Sequence, residues 1–489
     1  MKHFSRALVW LTLSEVVFNV AGYVIHAVLG RILGPADYGR YGLVVNLTTT
    51  VIILIGNGIP TAMSKYLAEI FETHPERIIG IKRATIALQT AIMSGVTLAF
   101  FLLARPIALA LGDDTLTPLF RLSSLIIPSF AAASFYFYYF TGLHFFRLQA
   151  ILKTVRALAR MAFIISLAMF FGVGGAVSGY IVAPLFVFGI ALVADLIATH
   201  RYFPAVSESG SPKFPTKRLI DYAWPLTLFL LFYQLTTSLD LFLVKGLLHD
   251  DRATGLYNAV MTVGNIPYYL FYALTIILLP AISKTSTNRD DTETRKLVSR
   301  SLRLLALVLF PVVTLLSAYA GPVIRLFYGD AYGDAAASMS VFSVGNGFFT
   351  IFYVLAFAIA GADRVRIPMY ASGAGLALSA LLNTLLIPRY GIIGSALATS
   401  TVMIFLGIGL LVFTDRHFKV RIPGRLWTVS AISSIILILL SRLLPSGTYS
   451  FVVSGVFLFA LHFGILAAGK ALVPEDMAPF RKFLPSKTK

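Results

Sequence analysis

Long apolar stretches separated by short polar connections run through almost the whole chain. A membrane-spanning helix needs roughly 20 apolar residues, and on that scale the pattern predicts about fourteen helices. The predicted spans are 7–29, 41–63, 84–104, 119–141, 157–172, 176–198, 222–244, 256–280, 302–320, 336–360, 368–387, 393–413, 427–444 and 449–469. The pattern therefore predicts an all-α, polytopic membrane protein.

The second half of the chain repeats the turn residues of the first half. The matched positions, 219 residues apart, are Gly142, Arg147, Gly172 and Gly175 with Gly361, Arg366, Gly391 and Gly394. With small slips, Gly39, Tyr41 and Gly112-Asp113 also match Gly255, Tyr257 and Gly329-Asp330. Repeats in membrane transporters form two lobes that move about a central site. We predict six-helix lobes at 1–205 and 206–420 in parallel topology, then two extra helices and a tail at 421–489.

Composition requires that lipid solvates the chain. Hydrophobic residues make up 57% of it, charged residues only 13%, and the mean hydropathy is +0.82, so too little polar surface exists for a soluble globule of this size. The absence of cysteine excludes disulfides, thiol catalysis and thiolate metal sites.

The net charge of +18 indicates how the chain is oriented in the membrane and does not indicate nucleic-acid binding, because the basic residues fall between apolar runs. With the N-terminus inside, most of the 40 basic residues lie in inner segments, among them Arg147, Lys153, Arg156 and Arg160. Cytoplasmic loops are enriched in such residues. We expect a multi-pass protein of the cell membrane with a retained first span, both termini in the cytoplasm and no nucleic-acid partner.

Glu15 lies midway along the first predicted span, and Asn19, Gly22 and His26 follow on the same helical stripe. Ionisable residues inside a membrane are costly and are functional candidates by default. The stripe therefore predicts a face on a wet cavity. The alternative is a protonated Glu15 that is hydrogen-bonded in a helix interface.

The seventh predicted span carries Asp240 and Lys245, which lie about 140° apart around a helix and so do not pair directly. Lys245 either extends to the outer interface or contacts substrate. Asp240, the deeper residue, is with Glu15 a candidate for ion coupling. The other candidates for a substrate cavity, each of which could instead join helices, are Asn46, Asn57, Gln234, Asn258, Asn265 and Asn383.

Motifs for catalysis are not found. Gly172–Gly179 indicates a tight turn, since no strand precedes it, and the chain has no Gly-Lys-Ser or Gly-Lys-Thr phosphate loop. No catalytic triad or metal-ligand spacing rises above chance, and the pairs Asp113-Asp114 and Asp250-Asp251 are expected to be solvated loop charges. We expect no enzyme activity, no cofactor and no metal.

Two segments carry a family resemblance: GRILGPADYGRYGL at Gly30–Leu43 and IPRYGIIGSA at Ile387–Ala396. They resemble the first-loop signature and the turn between spans eleven and twelve of polysaccharide flippases in the multidrug, oligosaccharidyl-lipid and polysaccharide (MOP) exporter superfamily. The resemblance implies two lobes around a V-shaped cavity and movement of a lipid-linked saccharide from the inner to the outer leaflet. The two extra spans are similar to the fourteen-helix branch, which includes lipid II flippases. Those flippases carry arginines in the first span, where this chain has Glu15.

The function predicted on these grounds is a flippase for a lipid-linked oligosaccharide of the polyprenyl-phosphate type. It would work by alternating access, with H+ or Na+ as coupling ion and membrane lipid as partner, and a monomer would suffice. One alternative is a cation-coupled exporter of drugs or small amphipaths, and a second is a lipid II-type flippase. A polytopic glycosyltransferase is disfavoured, because no outer loop is large enough to carry catalytic groups.

Overall fold

The structure is a computed structural model. It describes residues 2–56, 58–71, 73–202, 215–287, 291–362, 364, 366–418, 420, 423–447, 449–473 and 476. The chain divides into two compact units, Met1–Asn258 and Ala259–Lys489. The predicted lobe boundary at 205 falls outside the described residues, so the lobes remain a prediction.

The first unit is built from helices alone in its described part. They are α1 (Lys2–Gly56), α2 (Gly58–Ile70), α3 (Ile78–Ala110), α4 (Thr117–Ser123), α5 (Ile126–Gly142), α6 (Phe146–Tyr202), α7 (Thr216–Leu248) and the start of α8 (Asp251–Gly264), with short 3-10 turns at Pro75–Arg77 and Asp114–Leu116. Aromatic residues of α5, packed against α2 and α6, form its main apolar core.

The second unit contains the end of α8 and seven further helices. They are α9 (Ile266–Thr287), α10 (Asp291–Ala318), α11 (Ala320–Tyr328), α12 (Ala336–Gly361), α13 (Arg366–Phe418), α14 (Gly424–Ser441) and α15 (Ser450–Ala468), with a 3-10 turn at Asp330–Ala335. Helix α12 is the most deeply buried of the long apolar helices in the described chain, and it packs against α9, α10 and α13.

The all-α polytopic class is confirmed. Nine helical segments within the described residues are long and apolar enough to cross a bilayer; the count of fourteen spans stays a prediction. Two of the predicted spans contain a break: 119–141 between α4 and α5, and 256–280 at Asn265 between α8 and α9. Pro267 has no backbone N–H for a helical hydrogen bond, which favours a break at this point.

Three helices exceed fifty residues, and each contains one glycine with a non-helical backbone. These glycines are Gly34 in α1 (φ 71°, ψ 174°), Gly172 in α6 (φ 57°, ψ −138°) and Gly391 in α13 (φ 59°, ψ −140°). Across Gly34, His26 Nδ1 lies 2.9 Å from the hydroxyl of Tyr38, twelve residues on. A straight helix would separate the two residues by about 18 Å. The chain therefore folds back at Gly34, and α1 is a helical hairpin.

Helices α6 and α13 contain the same kind of chain reversal as α1. Arg160 donates a hydrogen bond of 3.2 Å to Tyr180, twenty residues away across Gly172. Ser395 donates one of 2.8 Å to Asn383, twelve residues away across Gly391. Both helices therefore fold back on themselves, as the tight turn predicted at Gly172 requires.

The predicted repeat is confirmed at the backbone of these turns. Gly172 and Gly391 are repeat partners, and their φ and ψ angles agree within about 2°. A Cβ at the next matched pair, Gly175 and Gly394, would collide in each case with a backbone carbonyl of the preceding arm. The repeat therefore conserves positions that only glycine can occupy.

We predict that Gly172→Ala lowers the free energy of unfolding by about 1–3 kcal/mol, because its φ and ψ are strained for a residue with a Cβ. Gly391→Ala should cost the same. Gly174→Ala is the control: it is two residues away, has a negative φ, and its Cβ would meet nothing within 4 Å. Thermal unfolding in detergent measures all three. An equal loss in the control would contradict the account of the turn.

The segment after α15 is fixed to α10 by one ion pair. Arg303 donates to Asp476 through Nε at 2.9 Å and Nη2 at 2.5 Å. Burial raises the pKa of Asp476, but the hydrogen bonds from Arg303 and from the Val473 N–H outweigh it and hold the pKa below its usual value. The ionised carboxylate therefore holds this segment in place.

A depressed pKa stabilises the fold above the unfolded value of about 3.9. The stabilisation is lost as the pH falls through the lower folded value. We predict that Asp476→Asn exposes amides near residues 471–473 to faster hydrogen exchange at pH 7. The difference from the unchanged protein should shrink as the pH falls below about 4, and a difference independent of pH would exclude the carboxylate as its cause.

Candidate functional site

Three basic residues lie on one face of the first arm of α6. Lys153, Arg156 and Arg160 are spaced at three and four residues, which aligns them on a helix. With Arg147 they all lie in α6, which begins at Phe146, so the predicted start of this span at 157 was too late. Their position on the inner side stays a prediction. We name Lys153, Arg156 and Arg160 the basic stripe.

The basic stripe faces the first arm of α1, and its three cations surround one aromatic ring of that arm. The centroid of Phe18 lies 5.6 Å from Lys153 Nζ, 5.9 Å from Arg156 Cζ and 4.9 Å from Arg160 Cζ. The face of an aromatic ring attracts cations. Phe18, three residues after Glu15, therefore gathers the three charges against the stripe that the sequence predicts on α1.

One carboxylate faces these three cations. Glu15 forms an ion pair with Lys153, and the two side chains are 27% and 20% exposed. Neither Arg156 nor Arg160 has an ion pair within the described residues, and neither Nε has a hydrogen-bond partner there. Arg160 retains its hydrogen bond to Tyr180. The site therefore carries an excess of positive charge.

Arg156 is the most buried of the three, with 5% of its surface exposed. Its guanidinium lies 4.3 Å from the ring of Phe130 and 5.4 Å from that of Phe137. Rings reduce the cost of burying a cation but supply no hydrogen-bond acceptor in the plane of the guanidinium. The geometry suits an oxyanion that accepts two hydrogen bonds from it.

The rest of the α1 stripe is only partly aligned with this site. His26 bonds to Tyr38, which is fully buried. Asn19 is half-buried on the first arm of α1. The structure therefore places Glu15 in an ion pair and His26 in a helix-to-helix hydrogen bond.

A short polar relay joins α7 to the second arm of α1. Gln234 donates to the Ser238 hydroxyl at 2.9 Å, and Ser238 donates to Asn46 Oδ1 at 2.9 Å. The predicted candidates Gln234 and Asn46 are thus brought together. Asn57, the other candidate on the predicted second span, lies outside the described residues.

Asp240 and Asn258 are buried in the same unit, at 1% and 3% exposure. Asp240 accepts hydrogen bonds from the Tyr257 hydroxyl at 2.8 Å and from the Leu241 N–H at 2.9 Å. Asn258 packs against Gly42, where a Cβ would meet its side chain. Neither residue contacts the basic stripe in a described bond.

The two candidates of the second unit join helices to each other. Asn265, at the break between α8 and α9, accepts a hydrogen bond of 2.6 Å from Asn346 on α12. Asn383 links the arms of α13 through Ser395 and also donates to the Ser379 carbonyl at 3.0 Å.

Lys245 is buried in a network of charges at the end of α7. Its Nζ lies 2.9 Å from Asp113 and 2.5 Å from Asp251, and its side chain is 3% exposed. The expectation that Asp113 and Asp251 are solvated loop charges was therefore wrong. Burial raises the pKa of Asp113, but hydrogen bonds from Thr115 and Lys245 outweigh it and keep the pKa below its usual value. In this structure Asp113 and Asp251 hold the Lys245 ammonium, so it is not free for substrate.

Helical hairpins, an internal repeat and buried charge inside membrane helices are typical of a membrane transporter. The family model described as "Polysaccharide biosynthesis protein" matches residues 5–286. The chain therefore belongs to the polysaccharide biosynthesis protein family.

Individual relatives agree with this assignment. The chain is 25% identical to the uncharacterized membrane protein YabM of Bacillus subtilis over 409 residues, which cover 80% of this chain and 76% of YabM. It shares its fold with the lipid II flippase MurJ in an inward closed conformation, at a TM-score of 0.76, 15% identity and coverage of 94% and 98%. An inward-facing multidrug resistance MATE family transporter of the MOP superfamily follows at a TM-score of 0.67, 12% identity and coverage of 84% and 98%.

We predict that Glu15→Gln lowers the free energy of unfolding by about 1–3 kcal/mol, because it leaves Lys153 without a partner beside two other cations. The double variant Glu15→Gln with Lys153→Gln should recover part of that loss. A double-mutant cycle of thermal unfolding measures the coupling. Additive losses in the cycle would show that the two residues do not interact.

Proposed function

We propose that the protein flips a lipid-linked oligosaccharide of the polyprenyl-phosphate type from the inner to the outer leaflet by alternating access. A membrane transporter is supported by its family together with the fold it shares with MurJ and a MATE transporter. The observation that carries the substrate proposal is the buried Arg156 beside Arg160, both without a counter-charge in the described chain. An uncompensated buried charge is costly unless a ligand pairs with it.

A phosphate linkage fits this site by charge and by geometry. Guanidinium groups bind phosphate oxygens through two parallel hydrogen bonds, which an ammonium group cannot reproduce. Arg156 and Arg160 are one helical turn apart on α6, a spacing that suits two phosphate groups of one head group. The lipid tail would stay in the bilayer while the basic stripe replaces the water around the phosphates.

The saccharide would lie along the polar groups that remain. Asn46, Gln234 and Asn258 in the first unit, with Asn19 and His26, are the proposed contacts there. Asn265 and Asn383 are the proposed contacts that belong to the second unit. Amides suit this role, because each offers both donors and acceptors to sugar hydroxyls.

Glu15 is the proposed coupling group. A proton on Glu15 would remove its charge and release Lys153 to join the two arginines on the phosphates. Return of the empty site would then release the proton. Asp240, buried and hydrogen-bonded by Tyr257, is the second proposed ion site. H+ and Na+ are both proposed as the coupling ion, and the termini are proposed to face the cytoplasm.

The basic stripe also separates the rival substrates. A cationic drug or dye would be repelled by two unpaired arginines, which disfavours the multidrug alternative. Lipid II carries the same kind of phosphate linkage, so a lipid II-type flippase remains the closer rival, and its likeness in fold to MurJ supports keeping it.

The proposal is tested in liposomes that contain labelled lipid-linked oligosaccharides. We predict that Arg156→Gln and Arg160→Gln each slow leaflet transfer about 10- to 100-fold, as the loss of a charge-assisted hydrogen bond implies. Arg83→Gln, the same change at an exposed position of α3, should transfer at the normal rate. Export of a cationic dye without lipid transfer by the unchanged protein would contradict the proposal in favour of the multidrug alternative.

Coupling is tested in the same liposomes with imposed H+ or Na+ gradients. Glu15→Gln should transfer substrate at a rate that no longer responds to the gradient, since its side chain cannot release a proton. Asp240→Asn tests the second site in the same way. If both variants keep the normal rate and the normal response to the gradient, neither residue couples transport to an ion.

A further inference from the structure

The repeat brings two equivalent glycines into contact within the first unit. Gly39 in α1 corresponds to Gly255 in α8, and a Cβ added at Gly39 would lie 2.6 Å from the backbone N of Gly255. A Cβ at Gly255 would lie 3.0 Å from the backbone N of Gly39. The two helices therefore cross backbone to backbone, with no side chain between them. We name this crossing the glycine seam.

Four charged residues surround the glycine seam. Lys245 contacts Asp113 at 2.9 Å and Asp251 at 2.5 Å, and Arg40 Nε contacts Asp251 at 2.7 Å. Arg40 also lies 3.9 Å from Asp113. Each cation therefore touches both carboxylates, and the four formal charges sum to zero. We name Arg40, Asp113, Lys245 and Asp251 the charge latch.

The charge latch joins four separate elements. Arg40 is on the second arm of α1, Asp113 is in the turn after α3, Lys245 is in the last turn of α7 and Asp251 begins α8. Where two helices cross with few apolar side chains between them, ion pairs of this kind hold the helices together. Small residues let the two backbones approach closely without interlocking side chains at the point of contact.

The charge latch lies near the turn of the α1 hairpin, whereas the proposed substrate charges lie toward its other end. Gly34, where α1 folds back, is nineteen residues beyond Glu15, a rise of about 28 Å along the helix. That is close to the hydrocarbon thickness of a bilayer. The latch is electrically balanced, whereas the basic stripe is not, so the latch holds helices together and does not wait for a ligand.

We propose that the charge latch and the glycine seam form the gate on the outer side, and that the latch must open once in every transport cycle. The inference rests on the alternating access of the proposed function. The Arg40 side chain is 33% exposed, and opening is proposed to exchange its ion pairs for water at the membrane surface. The gate therefore opens without moving a bare charge into lipid.

Spin labels at Ala36→Cys and Arg252→Cys measure the separation of the seam directly. Both positions are exposed and lie outside the latch, and the chain has no cysteine of its own. In lipid nanodiscs we expect Lys245→Met to raise the ratio of long to short label distances about tenfold, because Asp113 and Asp251 then repel each other. Arg40→Gln should act in the same direction.

Two controls decide the result. Arg105→Met removes a neighbouring but exposed ion pair with Asp114 and should leave the distances unchanged. Labels at Thr428→Cys and Lys470→Cys in the second unit should keep one distance in every variant, which shows that the protein remains folded. If Lys245→Met and Arg40→Gln both leave the seam distances unchanged in folded protein, the latch is not a gate.

Joining Ala36→Cys to Arg252→Cys with a short cleavable cross-linker relates the gate to transport. Cross-linked protein should lose at least about tenfold in lipid transfer and recover after cleavage. Normal transfer by cross-linked protein would overturn the inference. The label distances need no substrate, so they still test the gate if the unchanged protein transfers no lipid and the proposed function fails.

Discussion

A bilayer offers no hydrogen-bond partner to an open backbone and no water to a charged side chain, and both restrictions govern this chain. Within the long described helices the backbone departs from helical geometry at single glycines, and a further break lies at Asn265. At Gly34, Gly172 and Gly391 the missing Cβ permits φ and ψ angles that reverse the chain directly from helix to helix. The repeat retains the last two of these turns with nearly identical geometry because no other residue replaces them without strain.

The same restriction divides the charges of the first unit into two kinds. Around Lys245 each charge has an opposite neighbour, so the group is neutral and acts as a structural contact. Around Arg156, among the residues that the structure describes, three cations share the carboxylate of Glu15, so this group has an excess of positive charge. A membrane protein keeps such an imbalance where a ligand supplies the missing charge. This contrast in net charge supports the proposal that the basic stripe binds substrate and that the charge latch acts as a gate.

Local constraints in the sequence predict the fold, whereas contacts between distant residues decide the site. Hydropathy and the glycine repeat predict the helical class and the turn at Gly172, because both properties belong to short segments. The partners Lys153 and Glu15 are 138 residues apart, a distance that no local pattern spans. Counting basic residues placed Lys153 in a connection, although its spacing to Arg156 and Arg160 is helical and would have revealed the stripe. Asp251 was predicted to be solvated because its partner Arg40 lies 211 residues away in the chain.

The central claim is that the basic stripe binds the phosphate linkage of a lipid carrier. The most direct measurement is the affinity of purified protein for a polyprenyl diphosphate saccharide, a polyprenyl monophosphate and a neutral polyprenol of equal length. The account predicts the tightest binding for the diphosphate, and at least about tenfold weaker binding of that lipid by Arg156→Lys, which keeps the charge but loses the paired hydrogen bonds. Equal affinity for the neutral polyprenol, or unchanged affinity in the Arg156 variant, would contradict it.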